Sequence, residues 1–243
     1  CRTSLLQAMS TTHKWNDALA DEVERKEDAV DHYEDVLGTY LVKLSAKHLS
    51  TEDNRTINTL LHTIGDFERV SDHAVNLIKT AEEIRDKSIQ FSEEALGDLG
   101  VLEAAVQDIV NRTVDAFQKG VVSPPGKTEP RERVVDGLVR EVKTRHIARL
   151  QAGVCTIEYG FVLDDLLTNY ERIADHCSNI AVAMIEVAAD KFDTHEYLAS
   201  VKHGGSVKFE QRYEKYRGRY TFPPETYAEM QPVSAPGNAE EDA

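Results

Sequence analysis

The stretch Glu68–Asn76, ERVSDHAVN, is written a second time at Glu171–Asn179 as ERIADHCSN. Five of the nine positions are identical, and Val70 and Ile173 are a conservative exchange. The offset of 103 residues extends upstream, where Leu60, Ile64 and Phe67 match Leu163, Leu167 and Tyr170. One helix earlier, Glu27 and Asp31 match Glu132 and Asp136 at an offset of 105. Self-similarity at a fixed long period means one supersecondary unit used twice. The chain therefore divides into two halves with acid-x-x-x-acid pairs at equivalent places.

Working outward from the motif, apolar residues recur at helical intervals from Leu19 through Val23, Val30, Tyr33, Leu37, Leu41 and Leu44. A cap at Ser50 opens a long helix through Ile57, Leu60, Leu61, Ile64, Phe67, Ala74, Val75 and Ile78, and Ser92 caps another that Gly120 stops. Ser123-Pro124-Pro125-Gly126 is a turn no helix crosses. Beyond it Pro130 opens a helix ending near Gly153, a long one follows to about Ala189, and a last one starts near Asp193–Thr194. No segment alternates as a strand does. The expected fold is all-α: a lead-in helix over 1–16, a three-helix unit over 17–122, and a second over 127–222. The two tandem bundles have six long antiparallel helices. Residues 223–243, proline-containing, acidic and nearly without large apolar side chains, are expected to be a disordered tail.

Composition narrows the function classes. With 43 acids against 28 Lys and Arg, the formal charge is −15, which argues against nucleic acid. Three cysteines without a C-x-x-C suit a reducing compartment and speak against a disulfide framework or a thiolate zinc site. No run is long and apolar enough to be a membrane helix, and no signal peptide is visible. Residue 1 is Cys, which suggests that the chain begins inside a longer reading frame.

Acid pairs at i,i+4 are common in so acidic a chain, about seven or eight by chance, and most are solvated. Position distinguishes these four. The apolar stripe Ile57, Leu61, Ile64 reaches Glu68 at its next slot, resumes at Ser71, Ala74–Val75 and Ile78, and has Asp72 on its edge. Leu163 and Leu167 lead in the same way to Glu171 and Asp175. Carboxylates in a packing stripe cost several kcal/mol unless neutralised. Arg69 and Arg172, each next in sequence, point roughly 100° away and are imperfect partners. Oxygen donors one turn apart suit hard cations such as Ca²⁺, Mg²⁺, Mn²⁺ or Fe³⁺. The competing account is surface acids paired with Lys and Arg of neighbouring helices. His73 and His176 follow the acids and are as well explained as hydrogen-bonded flank residues as ligands. No catalytic motif is present: Glu68 to His73 does not match Glu-x-x-His, and no H-E-x-x-H, P-loop, G-x-G-x-x-G or G-x-S-x-G occurs.

Near the end, Lys202, Lys208, Arg212, Lys215, Arg217 and Arg219 surround Phe209, Tyr213, Tyr216 and Tyr220, spaced i, i+4, i+7, i+11 on one helix face. This is either a core stripe with a basic outer face, or a basic aromatic surface for anionic lipid or a membrane partner over 202–220.

At these residues the chain resembles the PhoU family of phosphate-uptake regulators, whose hallmark is a tandem repeat of three-helix bundles carrying E(D)-x-x-x-D motifs. The resemblance covers about residues 15–220. It implies no enzymatic activity and a multinuclear metal cluster, iron or zinc among the ions. The ligands would be Glu27, Asp31, Glu68, Asp72, Glu132, Asp136, Glu171 and Asp175. The ending HGGSVKFEQRYEKYRGRY resembles more the C-terminal PhoU-like domain of a sodium/phosphate cotransporter. That version implies a membrane phosphate transporter domain on the same polypeptide, at the cytoplasmic face of the membrane, with a second copy of the chain as a further partner. The alternatives are a free-standing regulator of an ABC phosphate transporter and its sensor kinase, and a metal-dependent phosphohydrolase. Two departures stand out: Ser71 replaces a glycine common in the family, and Asp66 has no acidic match at Asn169.

Overall fold

Ser50 begins the longest helix with a capping box, its Oγ accepting from the Asp53 amide while the Asp53 carboxylate accepts from the Ser50 amide. Ser92 caps a later helix through the Ala95 amide, and Gly120 and Gly153 end theirs in the left-handed region, at φ 58° and 72°. The computed structural model describes residues 1–120, 127–188 and 207–225. Seven helices run through them: α1 Arg2–His13, α2 Asp17–Ser45, α3 Thr51–Asp86, α4 Glu93–Gln118, α5 Glu129–Gln151, α6 Ile157–Ala188 and α7 Val207–Arg217. No strand occurs among the described residues, so the all-α fold is as expected. None of these helices is long and apolar enough to cross a membrane.

The helices group by packing into α1, α2 and α3 on one side and α4, α5 and α6 on the other, with α7 laid on α5. The division expected near residues 122–127 put α4 with the first half. Instead α4 packs on α5 and α6, the place α1 holds against α2 and α3. The prolines fall between α4 and α5 in sequence, in a stretch (121–126) outside the described residues. α3 and α6, the two motif helices, form the most extensive helix–helix contact and join the halves.

One continuous core results. Leu5, Ala8 and Met9 of α1 and Val70, Ala74 and Leu77 of α3 meet Leu102, Val106 and Ile109 of α4 and Leu163, Leu167, Tyr170 and Ile173 of α6. Leaving water is the main stabilising term for such side chains, about 1.5–3 kcal/mol for a fully buried Leu or Ile. Three buried charged side chains meet at one point. Asp98 of α4 accepts from Arg149 at 2.7 Å and lies 2.9 Å from Arg145 Nε, all three shielded from water.

Two expectations at the end of the chain change. The aromatic stripe turns inward: Phe209 and Tyr216 are buried and Tyr213 and Tyr220 pack against the core. Its rings are therefore core and do not form an aromatic surface for lipid. Residues 223–225, expected to be part of a disordered tail, are held at the α4–α5 pair. Pro223 packs against Gly97 and its carbonyl accepts from Arg145 at 2.7 Å, while Glu225 lies 3.4 Å from Arg145. The expected helix start at 193–194, Lys202 and residues 226–243 lie outside the described residues.

Candidate metal centres and the seam between repeats

The repeated motif has two working faces. On α3, Glu68 and Asp72 are one turn apart and face α2; the carboxyls of Glu68 and of Glu27 from α2 each lie in hydrogen-bonding reach of Asp72. Desolvation comes first and the Asp72 carboxylate second in raising Glu68 from its ordinary value to about 7. The same two causes raise Glu27. Asp31, one turn beyond Glu27, is exposed and acts on Glu27 through its charge. Glu34, two turns along α2 from Glu27, adds its charge at Glu68. Glu34 was not singled out in the sequence, since it has no counterpart in the repeat: the position 105 residues later is Val139.

The second group lies between α5 and α6. Glu132, Asp136 and Asp175 each offer a carboxylate oxygen, the three within 4.8 Å of one another and all half-buried. Glu171, one turn before Asp175, lies outside this trio. Arg172 reaches Asp175 at 3.2 Å but is 62% exposed, so this ion pair is a weak one. Of the eight acids marked by the sequence, the structure thus gathers Glu27, Glu68 and Asp72 in one place and Glu132, Asp136 and Asp175 in another. Asp31 and Glu171 stand at their margins.

The donor sets fit a hard cation. Each is all-carboxylate and spans two helices, and the oxygens of Glu132, Asp136 and Asp175 are close enough for a single ion to be shared. Without a cation, desolvation first and the neighbouring Asp72 second favour the protonated form of Glu68.

The histidines of the motif serve the other face. His73 Nδ1 meets Asn169 Oδ1 at 2.8 Å, and His176 Nδ1 meets Asp66 Oδ1 at 2.9 Å. The rings stack with centroids 5.6 Å apart, and Asn179 donates to Asp66 at 3.2 Å. Asp66 and Asn169 are repeat-equivalent, each seven residues before its own helix's histidine. The two bonds are therefore one interaction related by an approximate two-fold, with α3 and α6 antiparallel across it. Burial holds His73 below its ordinary pKa. The histidines thus join the repeats and do not complete the carboxylate groups. A third polar chain ties α1 to this seam: His13 Nε2 meets Glu103 Oε2 at 2.7 Å and the buried Tyr170 hydroxyl donates to Glu103 Oε1 at 2.8 Å. Of the cysteines, Cys177 is buried, its thiol pushed up to about 12, and all three are free.

Comparison with known proteins agrees with this architecture. Over 202 residues the chain is 22% identical to "Phosphate-specific transport system accessory protein PhoU homolog 1" of Thermotoga maritima, covering 83% of this chain and 86% of that protein. It is 20% identical over 193 residues to the PhoU homolog of Clostridium acetobutylicum, covering 77% and 85%. Among solved structures, PhoU from Pseudomonas aeruginosa superposes with a TM-score of 0.70 at 20% identity, over 77% of this chain and 89% of the other. The regulatory protein PhoU of Streptococcus pneumoniae gives 0.63 at 17%, over 79% and 88%. The PhoU domain matches residues 1–81 and 101–184, both copies of the motif included, and the chain belongs to the PhoU family.

Proposed function

We propose that this chain is a metal-binding regulator of a phosphate transport system, acting by binding and not by catalysis. One observation carries the reading. The acids singled out by the repeat converge between helices of a fold that spans 86% of a phosphate-transport accessory protein. That coverage favours an accessory regulator over the cotransporter domain suggested by the C-terminal sequence. Its partner is then a transporter on another polypeptide, met at the cytoplasmic face of the membrane.

Glu132, Asp136 and Asp175 would hold a cation between α5 and α6, with Glu171 beside them; Glu27, Glu68 and Asp72 would do so between α2 and α3. A bound ion supplies positive charge where carboxylates repel. The chain's own contribution is to place donors from two helices around one point, so occupancy fixes the spacing of each helix pair. An all-oxygen set admits iron, zinc and other hard divalent ions.

The test is elemental analysis of protein purified without chelator or immobilised nickel, beside Glu68→Ala/Asp72→Ala/Glu171→Ala/Asp175→Ala. Phosphate uptake is measured in a host deleted for its own accessory protein. The expected result is stoichiometric metal and restored control of uptake in the parent, both lost in the variant. Absence of metal from both proteins would sink the metal reading. A metal-loaded parent without effect on uptake would sink the regulatory one.

A further inference from the structure

In a chain of net charge −15, one concavity is lined by six Lys and Arg side chains. A cavity of about 580 Å³ lies where α4 ends, α5 begins and α7 crosses them. Arg112 and Lys119 enter from α4 and its cap, Lys127 and Arg131 from the start of α5, and Lys215 and Arg219 from α7 and its end. Ala181 and Met184 of α6 and the Tyr216 ring supply its apolar wall.

The charge is only partly compensated. Arg112 and Arg131 share Asp108, at 2.7 and 2.9 Å, and Arg131 also lies over Tyr216 at 3.8 Å. Asp115, the one carboxylate in the lining among the described residues, is already engaged by Arg2 at 2.6 Å. Among the described residues, Lys119, Lys127, Lys215 and Arg219 form no ion pair with a carboxylate. Four such cations around one cavity repel one another, in a protein with carboxylates available nearly everywhere else. Thr128, at the start of α5, leaves its hydroxyl unused as a cap, and that helix end adds its own positive field.

We infer that this cavity is an anion site for a small molecule carrying several phosphoryl groups. The volume lies in the range of small-molecule pockets, about 300–1,000 Å³, and exceeds what a lone phosphate fills. Lysines act as mobile point charges for phosphoryl oxygens, and arginines offer paired donors to the same groups. A free polyphosphorylated metabolite and a phosphorylated lipid headgroup share this chemistry. The site uses none of the metal-group carboxylates, so it stands apart from the metal reading.

The probe is tripolyphosphate, titrated calorimetrically into chelator-treated, metal-free full-length protein at fixed ionic strength. Two variants accompany it: Lys119→Gln/Lys127→Gln/Lys215→Gln/Arg219→Gln, and the charge-matched control Lys14→Gln/Lys43→Gln/Lys47→Gln/Lys79→Gln, four lysines outside the cavity. All these side chains except Arg219 are lysines at exposed positions, and circular dichroism checks that each variant stays folded. Expected is saturable one-to-one binding weakened at least tenfold in the cavity variant and less than twofold in the control. A parallel sedimentation with phosphatidylglycerol vesicles separates the sources: binding that needs the four cations and is displaced by tripolyphosphate assigns the site to a headgroup, and its absence assigns it to a free ligand. Equal tripolyphosphate affinity in parent and cavity variant, or no binding of either probe, overturns the proposal.

Discussion

α2 and α5 hold matching places in the repeat, yet their outer ends live in different surroundings. Tyr33, Leu37 and Tyr40 of α2 are 64, 44 and 61% exposed, whereas Leu138, Val142 and Arg145, 105 residues later, are 0, 0 and 8% exposed. The cause is the third helix of each group. α4 has 26 residues and, with α7 and Phe222–Glu225, packs on α5; α1 has 12 and, among the described residues, leaves the far end of α2 exposed. Both halves bring carboxylates together at their acid-bearing ends, but at the outer ends only the second is braced, by the Asp98–Arg145–Arg149 cluster. A duplicated motif therefore does not imply duplicated stability. Few buried contacts at the outer end of α2 place it at the low end of local stability.

The sharpest way to break this comparison is Asp98→Ala. It leaves two buried guanidinium groups without their carboxylate, and a loss of about 3–5 kcal/mol in urea unfolding is expected. Tyr40→Ala, at the site matching Arg145, should stay within about 1 kcal/mol. Equal losses would show that the exposed end of α2 is as firmly held as its counterpart. Next in size is Tyr170→Phe, which removes the hydroxyl that Glu103 accepts; a loss of about 1–2 kcal/mol is expected by the same measurement. Phe67, the matching ring, has no hydroxyl to lose and instead packs edge-on against Phe117 at 4.8 Å.

The carboxylate groups differ in a way that pH reveals. In chelator-treated protein, Glu68 binds its proton more tightly folded than unfolded. Its contribution is thus complete below the unfolded value of about 4.5 and is lost as pH rises through about 7. His13, raised by its bond to Glu103, adds a loss in the same direction as pH climbs above 6.5. Melting temperatures at pH 5.5 and 8.5 should fall with pH in the parent and fall less in Glu68→Gln. An unchanged difference between the two would remove Glu68 as a cause. The smallest effect is at the seam. Asn169→Asp gives His73 the carboxylate that His176 already has, and NMR titration of its ring protons should move upward from its burial-lowered value.

Much of this was legible in the residues. Ser50, Ser92, Gly120 and Gly153 mark helix ends through local backbone chemistry, and the repeat identified the acids that gather. What could not be read depends on contacts distant in sequence. Asp98 and Arg149 are 51 residues apart and carry no local signature of a pair. Glu34 looked like one more acid of an acidic helix, because only the packing of α2 on α3 turns it toward Glu68. His73 and His176 follow the acids in sequence but lie one residue, about 100°, around the helix, which is enough to face a different neighbour. The asymmetry between Asp66 and Asn169 was visible; its meaning required the opposing helix.

Across the α3–α6 seam the halves meet as subunits of a two-fold dimer do, the same patch against itself. In a true homodimer every substitution appears on both sides of the axis at once, so an Asp–His bond opposite an Asn–His bond could not be encoded. Joining the copies in one chain lifts that constraint. Each member of a symmetric pair becomes a separate letter, free to change alone, and a contact that began as two identical halves can become a donor side and an acceptor side. The Asp66–His176 and Asn169–His73 bonds record this freedom already in use.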